Sequence, residues 1–313
     1  MGTRPDLLIL GQVTIDDVVP ASPGAWRRQP GGSSLYTIAG ARLWLDPARI
    51  GLVARIGRGY PFAVAEMLQA AGIRHVALRP VPEEHLVEWL IYEPDGSRRS
   101  LPRNAGMLDV GAEGASSMPS AVSAYHDRLL AIAPTAEDIP DDWLPAAAVH
   151  LCTQVGERHG QAVQALRARA GCISVDPSPH YSRLATAAQL WTRLRGADAF
   201  LPSANEVSRL LGEADAGAVA LALHQAGFAE VALKRGAADV LVASEGAVSA
   251  IATAPATVVD PTGAGDSFCG AYAACRLLGL SPVDAARRAT QTAALVVGCS
   301  GVDAALQLSR LAP

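Results

Sequence analysis

The segment Thr257-Val258-Val259-Asp260-Pro261-Thr262-Gly263-Ala264-Gly265-Asp266-Ser267-Phe268 holds the residue types best suited to chemistry in this 313-residue chain. An apolar run leads into Gly-Ala-Gly, after which Phe268, Tyr272, Cys275 and Leu278 recur at helical spacing. Small residues at a helix start leave backbone N–H groups bare, and the helix dipole favours an anion there. Asp266 falls in the first turn of that helix. A carboxylate beside an anion-binding nest is electrostatically awkward unless it has a task, such as taking the proton of a hydroxyl that attacks the anion. The bland alternative is a glycine turn followed by an ordinary first-turn acid, and these residues alone leave both readings open.

Other chemistries fit worse. Lys234 is the only lysine and follows Leu233, so no Walker-type Gly-x-x-x-x-Gly-Lys-Ser/Thr loop exists. No Gly-x-Gly-x-x-Gly follows the first apolar run, which argues against a nicotinamide dehydrogenase. The seven histidines show no metal-ligand spacing, and His150 and His159 read as incidental. Five widely spread cysteines without a Cys-x-x-Cys pair argue against a disulfide framework or a zinc ribbon and suit a reducing compartment. A net charge of −4 gives no general basic excess for a nucleic-acid backbone, so no nucleic-acid partner is expected. The apolar run before Gly11 is too short for a signal core, and no stretch of about 18 apolar residues suggests a membrane span. A cytoplasmic protein with no membrane partner is the expectation.

The elements that must position the Gly-Ala-Gly segment are legible as an alternation. Short apolar runs at Leu7–Leu10, Ile50–Val53, Leu129–Ala133, Ala148–Cys152, Cys172–Val175, Ala199–Leu201, Val231–Leu233 and Val240–Ala243 read as buried strands. Helical patterns lie between many of them, at Phe62–Ala71, Gly160–Ala170, Asn205–Leu211 and Ala216–Ala226. This predicts a mainly parallel sheet covered on both faces. Ser281-Pro282-Val283-Asp284 offers an N-cap, a proline at the first helical position and an early acid, and Gly298 can end that helix. Leu86–Tyr92 and Arg98–Leu101, joined by Pro94-Asp95-Gly96-Ser97, break the alternation as a hairpin. Such a hairpin is an edge extension of the sheet or a flap over a site. Gly111–Ser120 reads as a surface loop.

Asp260-Pro-Thr-Gly-Ala-Gly-Asp266 resembles the C-terminal signature of the ribokinase-like family, the phosphofructokinase-B type carbohydrate kinases. Further matches follow in order: Gly11-Gln-Val-Thr-Ile-Asp16, Gly31-Gly32-Ser33, Arg55-Ile56-Gly57, Asp176-Pro177, Leu201-Pro-Ser-Ala-Asn205-Glu206 and Leu233-Lys234-Arg235-Gly236. The resemblance spans essentially the whole chain. It implies a Rossmann-like three-layer α/β/α sandwich over residues 1–313, with a small β-sheet lid drawn from about 12–36 and 86–103. It implies an ATP-dependent kinase that uses Mg²⁺, with a monovalent cation as an optional addition. Carried over by position, Asp266 is the base, and the amides of Gly263, Ala264, Gly265 and Asp266 form the anion hole. Asp16, with Gly31 and Gly32, holds substrate hydroxyls, with Tyr36 near them on the substrate side. Asn205, Lys234, Gly236, Asp260, Thr262, Gly263 and Gly265 fall on the nucleotide side, with Asn205 and Glu206 toward the metal. Apart from the resemblance, Trp89 on the lid hairpin reads as a packing residue or as a stacking surface for the acceptor, and Arg103, with Arg98 and Arg99, as a solvated charged stretch or a contact to the acceptor. Lid-bearing members are often dimers, so a homodimer through the lid is expected.

The chain departs from the family pattern in places. Ser208 stands where the Asn-x-x-Glu motif has its acid, and the nearby acid is Glu206, which points in a different direction along a helix. Tyr36 lies near the position of a substrate-side asparagine, Gly59 where an aspartate is common, and Asp239 at the end of a Gly-x-x-Gly turn. The modal reading is a kinase for a small polyhydroxylated acceptor, most simply a sugar. The alternatives are a nucleoside or inositol kinase, or a catalytically weak binding homologue.

Overall fold

Leu7–Leu10 (β1) shows why the chain must build layers. Leu7 and Ile9 pack into one hydrophobic cluster and Leu8 and Leu10 into another, because side chains alternate across a strand. All four are fully buried, so β1 needs cover on both faces. The computed structural model describes residues 4–19, 27–92, 98–102, 127–154, 156–177, 186–211 and 214–311.

Nine described strands form the central sheet: β1, β4 (Ile50–Arg58), β5 (His75–Glu84), β8 (Ala146–Leu151), β9 (Ala170–Val175), β10 (Ala199–Phe200), β11 (Glu230–Lys234), β12 (Asp239–Ser244) and β13 (Ala247–Ala252). Their order is β13-β12-β11-β10-β9-β8-β1-β4-β5, parallel from β5 to β11 and antiparallel at β12 and β13. One face is covered by α1 (Ser33–Ala41) and α2 (Val64–Ala70), together with the helices that follow β13. The other is covered by α3 (Gly156–Leu166), α4 (Ala187–Leu194) and α6 (Ala216–Ala226), with the short α5 (Ser208–Leu211) between the last two. After β13 the chain forms α7 (Ala264–Leu277), α8 (Pro282–Val296) and α9 (Gly301–Ala305). The strand order reverses beside β1, with β4 on one side and β8 on the other. Crevices at such switch points, beyond the strands' carboxyl ends, are where α/β sheets take ligands.

A second sheet, in the order β3-β2-β6-β7, is built from β2 (Thr14–Val19), β3 (Arg27–Gly31), β6 (Val87–Tyr92) and β7 (Arg98–Pro102). The hairpin reading holds for β6 and β7, which pair antiparallel. They join a separate sheet through β2 rather than extending the central one. The lid strands fall inside the two expected segments, but Ser33 to Tyr36 belong to α1. Asp16 lies within β2 of the small sheet.

Three further expectations need correction. Residues 127–132 are helical, not a strand; a five-residue apolar run fits either, and here Leu129 and Ile132, three apart, pack on Leu86. Asn205–Val207 form a turn, leaving only Ser208–Leu211 helical. Asp239 opens β12 and needs no left-handed backbone, so its place at the end of Leu233–Asp239 carries no strain. The Pro94–Ser97 turn and the Gly111–Ser120 loop lie outside the described residues. The α8 reading stands: the Ser281 hydroxyl accepts the Asp284 N–H at 3.1 Å, Pro282 opens the helix, and Gly298 follows its end.

Candidate active site

Helix α7 begins at Gly263, whose φ of +77° is the left-handed conformation that glycine tolerates best. A Cβ there would lie 2.1 Å from the Tyr36 ring, so the turn is also seated directly on α1. Deeper in, α1 and α7 touch backbone to backbone. A Cβ on Gly40 would meet the Ser267 carbonyl at 2.0 Å, and one on Gly270 would meet that of Thr37 at 1.9 Å. Ser267 to Cys275 are consequently buried, while Ala264, Gly265 and Asp266 are half-buried at the helix mouth. First-turn amides have no intrahelical acceptor and sit at the positive end of the dipole; the Ala264 N–H makes a long 3.4 Å contact to the Pro261 carbonyl before the helix. The structure therefore brings the four residues Gly263 to Asp266 together as a nest with one carboxylate beside it.

The turn before the nest is held from the small sheet. Asp260 is buried; its Oδ1 accepts the Thr262 N–H at 3.0 Å and its Oδ2 accepts Arg27 Nη2 at 2.9 Å. Thr262 Oγ1 is 2.8 Å from Tyr92 Oη on β6. Both side chains placed on the nucleotide side by resemblance thus have these polar atoms engaged inside the protein.

On the acceptor side, Asp16 is buried under Gly31, where a Cβ would fall 2.0 Å from its Cγ. Thr14 Oγ1 donates to Asp16 Oδ1 at 2.9 Å. Burial, reinforced by Glu88 on the neighbouring strand, pushes the Asp16 carboxyl up to about 7. Gly32 adopts φ +98° at the start of α1, with its Cβ position 2.4 Å from the Gln12 carbonyl. Asp266 adds to the upward push on Asp16 and on the buried Tyr36 phenol, so the two carboxylates share one electrostatic neighbourhood. Tyr36 accepts Gln29 Nε2 at 3.2 Å and forms the floor of the nest.

Trp89 does not join them. Asp16 pairs with Glu88 and Asp17 with Trp89, so side-chain alternation puts Trp89 on the sheet face opposite Asp16, with the Asp17–Arg28 ion pair. Arg103 lies outside the described residues.

Lys234 ends β11 and reaches beneath α7. Its Nζ donates to Asp176 Oδ1 at 2.8 Å and to Cys269 Sγ at 3.1 Å, and would be 3.7 Å from a Cβ on Gly265. Burial opposes its charge, but Asp176, Cys269 and Glu206 outweigh burial and hold the ammonium well above the usual lysine range. Thr153 Oγ1 steadies the other Asp176 oxygen at 3.2 Å. The Glu206 carboxylate accepts the Ser203 N–H at 2.6 Å, and burial together with Asp176 raises its pKa. Asn205 is exposed, and Gly236, at φ +64°, faces open space.

No cluster of three or more metal-ligating side chains exists among the described residues. Magnesium usually takes one or two carboxylates and completes its shell with water and phosphate oxygens. Glu206, a carboxyl raised by burial and by the neighbouring Asp176, suits such a sparse site. Arg27, Tyr92 and Thr153 were not marked by the sequence, and Asp176 was marked only as a family match without a role. Arg27 and Tyr92 meet partners 233 and 170 residues away, and no local spacing signals that.

A mostly parallel sheet between two helical layers, a small sheet beside the β1 crevice and a glycine-started late helix define a ribokinase-like α/β protein. The model of the pfkB family of carbohydrate kinases matches residues 131–308, and the chain belongs to that family. It is a kinase of the class whose members act on sugars and nucleosides. Over 275 residues it is 26% identical to a cytidine kinase of Thermococcus kodakarensis, covering 86% of this chain and 87% of that one. A stretch of 82 residues, 25% of this chain and 26% of the relative, is 46% identical to the 2-dehydro-3-deoxygluconokinase of Escherichia coli. The fold matches the ATP-bound fructokinase of Xylella fastidiosa with a TM-score of 0.70 at 20% identity, over 96% of this chain and 94% of that one.

Proposed function

We propose that the protein transfers the γ-phosphoryl group of ATP to a hydroxyl of a small polyhydroxylated acceptor, a sugar in the first instance. The carrying observation is Asp266 in the first turn of a helix whose amides, from Gly263 onward, open on the same neighbourhood as Asp16. In this reading Asp16 accepts hydrogen bonds from acceptor hydroxyls and orients one of them toward Asp266. Asp266 takes that hydroxyl's proton as the oxygen attacks. The amides of Gly263, Ala264, Gly265 and Asp266 receive the charge that spreads over the moving phosphoryl oxygens. Lys234, fixed by Asp176 just under Gly265, adds a positive field from below. The open space at Gly236 and the exposed Asn205 leave room for a nucleotide on the β11 side. Magnesium, when bound on the Glu206 side, would neutralise phosphate charge.

Replacing Asp266 by Asn removes the base while keeping shape. The expected result is a kcat lower by about 10²–10⁴-fold with fold and ATP affinity retained. Near-normal turnover, followed by ADP release, refutes the assignment. The same assay across sugars, sugar acids, inositols and nucleosides identifies the acceptor. A nucleoside is the second reading, favoured by the cytidine kinase relative along most of the chain. Ligand-induced melting shifts without product would instead point to a binding homologue. For the homodimer we propose the outer face of the small sheet, where Trp89 and Ile91 are half-buried. A monomer in sedimentation at micromolar concentration overturns that part.

A further inference from the structure

We infer that Arg27 is a positioning residue for phosphoryl transfer, its guanidinium locking the Asp260–Gly263 turn to the strand that also shelters the acceptor carboxylate. This rests on reading the Gly263–Asp266 nest as the phosphoryl site.

Asp260 is 2% exposed, and a carboxylate so buried is costly without a partner for each oxygen. One oxygen caps the turn at Thr262; the other depends on Arg27. The guanidinium also donates through Nη1 to Ser300 Oγ, at the start of α9. One planar fork thus spans three elements: β3, the turn and the α9 entrance. A lysine offers a point charge and cannot reproduce that fork. Gln29, two residues along β3, lies opposite Asp16 in register and donates to Tyr36, which floors the nest. The strand therefore meets both halves of the reaction centre, and Arg27 is its ionic tie to the phosphate half. Losing the tie frees the Asp260 turn and hence the left-handed Gly263 that aims the first-turn amides. The rest of the nucleotide side, around Lys234 and its partner Asp176, makes no use of the Arg27 tie. The loss is therefore expected in kcat and not in the KM for ATP.

The test is steady-state kinetics on Arg27→Ala and Arg27→Lys, beside Asp266→Asn. Arg27→Ala is expected to lose about 100-fold in kcat, with the KM for ATP changed less than about threefold. Because Arg27 is 33% exposed, a small cation can enter the space it leaves. Guanidinium chloride at about 50 mM, far below denaturing levels, is expected to restore kcat by about tenfold in Arg27→Ala and to leave the parent unchanged. Potassium chloride at the same concentration, lacking the fork, is expected to restore less. A folded Arg27→Ala with near-parent kcat overturns the inference. So does a loss that guanidinium does not relieve, since that is general disruption. Should Arg27→Ala fail to fold, Arg27→Lys decides: reduced kcat at unchanged KM supports the role, and parent kcat overturns it. An active Asp266→Asn refutes the underlying site instead. An inactive Asp266→Asn beside a fully active Arg27→Ala refutes only this inference.

Discussion

At the residue scale the acceptor carboxylate is the most informative group. Asp16 carries a pKa raised to about 7 by burial and Glu88, so near neutral pH it is divided between acid and carboxylate. An acceptor hydroxyl donates more strongly to the ionised form than to the acid, whose carbonyl oxygen is a neutral acceptor. Acceptor binding should therefore draw Asp16 toward ionisation and release a proton. The KM for the acceptor is expected to rise by up to about tenfold per pH unit below about 7, while the KM for ATP stays flat. Asp16→Asn should bind the acceptor more weakly and lose this pH dependence. A variant that keeps the parent profile would show that another group titrates. The helix start, its small residues and the acid in its first turn were legible from spacing, because they are neighbours in the chain; spacing alone left their chemistry open, and the family resemblance supplied the role. Trp89 was misread because an aromatic on a lid strand says nothing of which face it occupies until register is known.

At the element scale, what is local was readable. α8 carries its own start and stop signals, and the structure uses them: Ser281 caps, Pro282 opens and Asp284 sits in the first turn. Ser281→Ala should cost about 1 kcal/mol, read as a lower unfolding midpoint, with both KM values unchanged because the cap is remote from the nest. The 127–132 segment was misassigned because five apolar residues satisfy either period. The deciding contact, Leu86, lies more than forty residues away. The hairpin was found, but its membership in a separate sheet depends on β2 pairing parallel with β6, a contact over about seventy residues.

At the scale of the whole molecule, buried titrating groups set how stability follows pH. His150 is pushed down to about 3 by burial, with Lys234 and His159 adding to it, and His159 is pushed down to about 4 by burial. Both are neutral when folded and take protons near pH 6.5 when unfolded, so they withdraw stability as pH falls below 6.5. Asp16 works the other way. Its folded pKa lies above the unfolded value, so it withdraws stability as pH rises from about 4 to 7. Asp16→Asn removes the opposing contribution. The variant's stability should gain on the parent by up to about 1.4 kcal/mol per pH unit between pH 4 and 7. Denaturant titrations at pH 5, 6 and 7 read this difference, and parallel curves would contradict the Asp16 shift.

What the chain determined by itself is whatever is encoded within a few residues: the alternation of strands and helices, the caps of α8, and a glycine nest with an acid in its first turn. Short-range geometry and backbone conformation suffice for these. Only the tertiary structure decided that Arg27 and Tyr92 clasp the Asp260–Thr262 turn, that Lys234 lies under Gly265, and that Trp89 faces away from Asp16. Each of those depends on packing that brings distant segments within hydrogen-bond reach or sets the register between strands, and buried charge then selects its partner from whatever the fold has placed beside it.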